Sequence, residues 1–147
     1  MRNLVLGLAG LALLGGCKVD APAADTRTEE VTMHYAGADM AGKTVDMKVG
    51  EILRVELESI PTAGYLWIVT SQPEFLELAG ENTRPTDPEV QNQPGFTGGN
   101  HYLSFDFTAT APGTGTLDLV EGRPWELEAG EAPEGTWSIR VSVAAEE

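Results

Sequence analysis

Cysteine is nearly absent. Cys17 stands alone among 147 residues, so no internal disulfide can staple the fold and stability must come from its core. Basic residues are scarce as well, with nine Lys and Arg against 23 Asp and Glu, a net charge of −14. Phosphate recognition is built on basic patches, so nucleic acid is excluded as a partner. Such a charge keeps a domain soluble and steers basic partners toward it, although a generally acidic proteome would give the same balance. Apolar runs are short. Leu4 to Leu14 is the longest and cannot span a bilayer as a mature helix. No segment carries a sustained, capped apolar stripe of period 3.6, which argues against a helical bundle.

Catalytic signatures are missing too. His34 and His101 stand in no metal-ligand spacing, and no cofactor is expected. None of Ser59, Ser71, Ser104, Ser138 and Ser142 has nucleophile-elbow context. Carboxylates are plentiful, but a two-carboxylate glycosidase needs an extended cleft for which a small domain has little room. An enzyme is not expected.

The first sixteen residues read as an export signal. Arg2 supplies a positive start, Leu4–Leu14 an apolar middle, and Leu14-Gly15-Gly16-Cys17 a small-residue exit. This arrangement resembles a bacterial lipoprotein lipobox, the alternative being an ordinary signal peptide with an incidental cysteine. The resemblance implies cleavage before Cys17, a diacylglyceryl group on its sulfur, and a lipid anchor in the bacterial cell envelope, periplasmic or at the cell surface. Removing residues 1–16 leaves 131 of the 147 residues, enough for one domain with a sizeable core. Residues 17–30, rich in Ala, Asp, Thr and Glu, read as the lipidated cysteine followed by a flexible tether. The folded domain is expected over 31–147.

From Val31 the chain is a series of short alternating segments divided by Gly, Pro and Asp clusters. Strands are expected at Val31–Tyr35, Thr44–Val49 and Ile52–Glu58. Tyr65–Thr70, apolar on both faces, reads as a central strand with Trp67 as a core ring. A short strand is expected at Phe75–Leu78, then an irregular stretch over 80–99. Tyr102–Ala109, Thr114–Val120 and Trp137–Val143 alternate most clearly, and 121–135 reads as a second long loop. Seven to eight strands with turn signals every 8–12 residues predict an all-β, immunoglobulin-like antiparallel β-sandwich, a barrel being the alternative. A monomer is expected.

Three loops have compositions that a plain chain reversal does not need. Ile60-Pro61-Thr62-Ala63-Gly64-Tyr65 has an apolar entry and an aromatic exit where polar turn residues are usual. Pro94-Gly95-Phe96-Thr97-Gly98-Gly99 sets an aromatic in a glycine-rich loop. Arg123-Pro124-Trp125 presents together two side chains favoured in interface hot spots, around a rigid proline. Each loop alone has a bland structural reading; their order and spacing carry the inference.

In that order the three loops resemble the chagasin-like inhibitors of papain-family cysteine peptidases. Those inhibitors carry Asn-Pro-Thr-Thr-Gly-Tyr, Gly-x-Gly-Gly and Arg-Pro-Trp. The likeness covers roughly residues 30–145. It implies an immunoglobulin-like sandwich with three loops at one end, entering the peptidase cleft without being cleaved. It assigns peptidase binding to Pro61, Thr62, Ala63, Gly64, Tyr65, Phe96, Thr97, Gly98, Gly99, Arg123, Pro124 and Trp125. Ile60 replaces an Asn, Ala63 a Thr, and Phe96 stands in place of the first glycine. The rival functions are a non-inhibitory envelope module that binds another protein or a ligand, and a purely structural envelope component. If the first loop acts as the resemblance implies, Ile60→Asn tightens binding to a papain-like enzyme or leaves it unchanged. A marked rise in the inhibition constant of that variant would show that the loop is used differently.

Overall fold

A computed structural model of the chain describes residues 28–145. The signal segment, Cys17 and most of the tether lie outside the described residues. Within them the chain forms eight strands: β1 (Met33–Ala36), β2 (Thr44–Lys48), β3 (Ile52–Ser59), β4 (Leu66–Ser71), β5 (Leu76–Pro85), β6 (His101–Ala109), β7 (Gly113–Gly122) and β8 (Gly135–Ala144). Two short helices interrupt the loops, α1 (Pro88–Gln91) and α2 (Pro124–Glu128). The strands make two four-stranded sheets, ordered β1-β3-β6-β5 and β2-β8-β7-β4, packed as a sandwich. No closed barrel forms. Four of the six strand pairings are antiparallel, and β1–β3 and β2–β8 are parallel.

The core follows from the period of two along each strand. Leu53, Val55 and Leu57 on β3 face Leu103, Phe105 and Phe107 of β6, and all six are buried. Leu117 and Leu119 of β7 with Trp137, Ile139, Val141 and Val143 of β8 form the opposing layer. Lacking a disulfide, the sandwich depends on this interdigitation, with Phe107 among its largest fully buried side chains.

Two expectations fail. Tyr65–Thr70 was expected to be central, yet β4 pairs only with β7 and forms a sheet edge. Its apolar residues Leu66, Trp67, Ile68 and Val69 are half-buried, and they line a gap of about 440 Å³ between the edges β4 and β5. Trp67 is a partly buried ring packed against the core rather than a member of it, and its indole N–H donates to the Glu58 carbonyl at 2.9 Å. The start of the stretch expected to be irregular is strand: β5 runs on to Pro85, paired with β6 through a bulge between Leu78 and Gly80. An edge strand exposed on both faces needs no apolar alternation, and it tolerates a bulge and a terminal proline. Beyond Leu76 in the core and Arg84, which bonds Glu56 and lies 4.5 Å from the centre of the Tyr102 ring, backbone pairing holds it, so composition does not betray it.

The outer face of the first sheet is tied by charge. Arg54 and Asp106, directly opposite on β3 and β6, form a two-pronged pair at 2.7 and 2.6 Å. The Arg54 hydrogen bonds hold the Asp106 carboxyl below its ordinary range, against the opposing effect of partial burial. The depressed folded-state value means this stabilisation is present above the ordinary carboxylate pKa, near 4, and is lost as pH falls through the folded value. Asp106→Asn is therefore expected to lower neutral-pH stability by about 1 kcal/mol or less and to flatten the acid limb of the stability curve. Denaturant midpoints measured from pH 7 to pH 2 check this; parallel wild-type and variant curves would remove the pair from the acid response.

Candidate binding surface

Strand register decides where the loops emerge. Ser59, ending β3, sits opposite His101, which starts β6, and His101 also pairs with Pro85 at the end of β5. Leu66, starting β4, sits opposite Gly122 at the end of β7, and Glu121 pairs with Gly135 at the start of β8. The connections 60–65, 86–100 and 123–134 therefore share one pole of the sandwich. The first of them crosses from one sheet to the other.

That crossing is a single 3-10 turn, Pro61–Ala63. The Ile60 carbonyl accepts from the Ala63 and Tyr65 amides at 3.0 and 3.2 Å, and the Gly64 amide donates to the Pro61 carbonyl at 2.9 Å. Pro61 at the first turn position has a suitable fixed φ and no amide hydrogen to leave unsatisfied. Gly64 closes the turn at φ +89°, a region that side chains disfavour. Space imposes a second demand. A β-carbon at 64 would fall inside the Trp125 indole, with Cζ2 and Cζ3 only 3.2 and 3.3 Å away. The bare backbone of Gly64 is thus the seat on which the indole rests.

Arg123 completes the join. Its Nε–H donates to the Ala63 carbonyl at 2.9 Å, and Nη1 donates to Glu126 at 3.0 Å. The Glu126 hydrogen bond is the main cause of a raised Arg123 pKa, so the side chain stays cationic. Its guanidinium lies 4.5 Å from the centre of the Tyr65 ring and 5.9 Å from that of Trp125. The Arg123 carbonyl accepts from the Glu126 and Leu127 amides, opening α2, with Pro124 at its first position. Trp125 remains 59% exposed despite its seat on Gly64. Beneath the turn, the buried Ser59 hydroxyl lies 2.7 Å from a Glu121 carboxylate oxygen and 2.9 Å from the Tyr65 carbonyl. Its single proton serves those two acceptors.

The glycine loop stands beside the turn. A β-carbon on Gly98 would lie 3.7 Å from the Thr62 hydroxyl, so the two loops adjoin. Phe96 is 40% exposed, and Thr97 is exposed. The structure therefore gathers the residues Pro61 to Tyr65, Phe96 to Gly99 and Arg123 to Trp125 at one pole. Turn 60–65 and α2 are in direct contact, and the glycine loop lies alongside. Their exposed edge is Thr62, Ala63, Phe96, Thr97 and Trp125. A shallow hollow among these loops, about 190 Å³, is bordered by Ile60, Tyr65, Glu121 and Glu134.

Such a shape suits insertion into a partner better than enclosure of a substrate. Among the described residues no cluster of His, Cys, Asp or Glu is arranged to hold a metal ion. The two histidines do not meet. His34 pairs with Leu53 near one end of β3 and contacts Glu51 at 2.7 Å, while His101 sits opposite Ser59 at the other end.

Ser59 and Glu121 were not among the expected site residues, though the sequence carries a signal for both. Ser59 continues the inward parity of Leu53, Val55 and Leu57, and Glu121 that of Leu117 and Leu119. Polar residues at core-facing positions need partners, and these two satisfy each other. Gln91 and Asn100, which contact the glycine loop, carry no comparable signal.

The family model described as Chagasin family peptidase inhibitor I42 matches residues 46–141. Amoebiasin-1 of Entamoeba histolytica is 30% identical over 105 residues, spanning 71% of this chain and 94% of the relative. Among solved structures, the crystal structure of the cysteine protease inhibitor EhICP2 from Entamoeba histolytica matches with a TM-score of 0.63. It is 17% identical, over 78% of this chain and 98% of that one, a likeness of fold. The solution structure of Amebosin matches with a TM-score of 0.55 at 29% identity, over 77% of this chain and 98% of that one.

The Gly64 seat is directly testable. Gly64→Ala forces a β-carbon into a strained φ and into the indole, with an expected loss of about 1–3 kcal/mol. It should also shift tryptophan emission, and the shift should vanish in a Trp125→Phe background. An unchanged unfolding midpoint and spectrum would show that the two loops are not joined there.

Proposed function

Because this chain belongs to the chagasin family of peptidase inhibitors, an assignment resting on the family match and the Amoebiasin-1 relative, we propose that its three-loop pole blocks the active-site cleft of papain-family cysteine peptidases. The chain is an inhibitor and not an enzyme. One observation carries the proposed mode of action: two of the three loops hold each other before any partner arrives, with the glycine loop alongside. Trp125 lies on Gly64, and Arg123 bonds the Ala63 carbonyl. Rigid loops lose little conformational entropy on docking, so more of the contact energy reaches the affinity.

In this reading the glycine loop, with Phe96, Thr97, Gly98 and Gly99, lies over the peptidase's catalytic cysteine and histidine. Trp125 packs on one wall of the cleft and the turn Pro61–Tyr65 on the other, with Arg123 and Pro124 holding the indole in place. A loop held by its own contacts does not thread the cleft as an extended substrate does, so it occludes the site without being cut. We extend the reading to the cell: cleavage before Cys17 and lipidation of its sulfur would place a monomeric inhibitor on the bacterial envelope, facing the periplasm or the exterior. The signal-like segment ending in Leu14-Gly15-Gly16-Cys17 supports this.

Titration of papain with the chain is expected to abolish activity at a one-to-one ratio, reversibly on dilution. Trp125→Ala should cost about 2 kcal/mol or more of binding, roughly thirtyfold in the inhibition constant. An unchanged constant would remove Trp125 from the contact surface. A papain-family panel left at full activity would overturn the inhibitory reading.

A further inference from the structure

The glycine loop is the least self-sufficient of the three. It joins two ladder-paired strands through residues 86–100, and Gly95, Gly98 and Gly99 all adopt positive φ. Free glycines sample many conformations, so a loop of this composition docks well only if something other than the glycines fixes its shape.

We propose that Gln91 is that element: a positioning residue whose carboxamide closes the base of the glycine loop and presets it for capture. The inference rests on the inhibitory reading above. Helix α1 places the side chain. Asp87 caps the helix by accepting from the Val90 amide at 3.3 Å, and Pro88 takes its first position. Gln91, at the helix end, turns its side chain back across the loop base. Oε1 accepts from the Asp87 amide at 2.6 Å, and Nε2 donates to the Asn100 carbonyl at 2.8 Å. One planar group thereby links residues 87 and 100, the two ends of the loop.

The neighbours converge on the same atoms. The Thr86 amide and hydroxyl donate to the Asn100 carbonyl at 3.1 and 2.9 Å. The Asn100 side-chain amide donates to Glu58 at the end of β3, beside the sheet crossing. Gly99 packs directly on the carboxamide: a β-carbon there would lie 2.5 Å from Nε2, 3.2 Å from Cδ and 3.4 Å from the Phe96 ring. An amide and an aromatic ring thus leave no room for a side chain at Gly99. Phe96, which departs from the family's glycine, supplies the ring.

The chemistry requires glutamine. The group must accept at one end and donate at the other, over the reach of two methylenes. Glutamate keeps the length and the acceptor but turns a carboxylate toward the Asn100 carbonyl. Methionine keeps the length and loses both bonds.

The test uses the full chain with Gln91→Glu and Gln91→Met, with amide hydrogen exchange of the free inhibitor read alongside papain inhibition. The clamp predicts exchange at Thr86 and Asp87, the amides bonded at the loop base, at least tenfold faster, with the unfolding midpoint little changed. It also predicts an inhibition constant raised at least tenfold and slow cutting of the variant within 94–100 where wild type stays intact. Faster exchange with unchanged inhibition would reduce Gln91 to a structural brace and overturn its positioning role. Unchanged exchange would overturn the clamp itself. If wild type failed to inhibit papain, the inhibitory reading would fall, and with it the capture role; the exchange data would still decide whether the clamp exists.

Discussion

Six residues carry the chain from Ser59 in one sheet to Leu66 in the other, and the three-loop pole depends on how that crossing is held. A short crossing between packed sheets leaves backbone groups facing inward with few partners nearby. Here the Ser59 hydroxyl serves the Tyr65 carbonyl and the Glu121 carboxylate, and the Trp67 indole N–H satisfies the Glu58 carbonyl. These bonds seal the end of the sandwich. The turn above them is consequently fixed relative to both sheets, and it supplies a firm base for the helix that packs on it.

Arg123 shows how a charge can act as a joint. Its guanidinium meets a carbonyl of one loop, a carboxylate of its own helix and the face of Tyr65. A lysine would supply the charge without the planar fork that reaches two acceptors while stacking. The acidic character of the protein makes this economical, since Glu126 neutralises the cation locally and the surface keeps its overall negative sign.

The sandwich core was legible because burial on one face imposes a period of two, and β3, β6, β7 and β8 obey it. Strand β5 was legible only at its start, Leu76–Leu78, since the rest of it is an edge strand exposed on both faces with no side-chain period to show. Strand β4 was misplaced for the opposite reason: apolar residues on both faces mimic a central strand, whereas here both faces are half-covered at an edge. At the pole, Pro61, Gly64 and Trp125 were legible because turn geometry and a large exposed aromatic both leave marks in composition. That Gly64 serves as the indole's seat was not, because the contact joins residues 61 positions apart. Ser59 and Glu121 stood in plain view as polar residues on inward parity, a clue that only pairing in space could complete.

The direction of the strands gives the molecule a handle and a working end. β1 enters beside Ile52, the start of β3, and β8 leaves beside Lys48, the end of β2, so both ends of the sandwich domain depart from the pole far from the loops. The eight residues of β3 separate the poles by roughly 25 Å. Under the lipidation proposed above, the point of attachment and the three loops lie at opposite poles, so the loops face away from the anchored end.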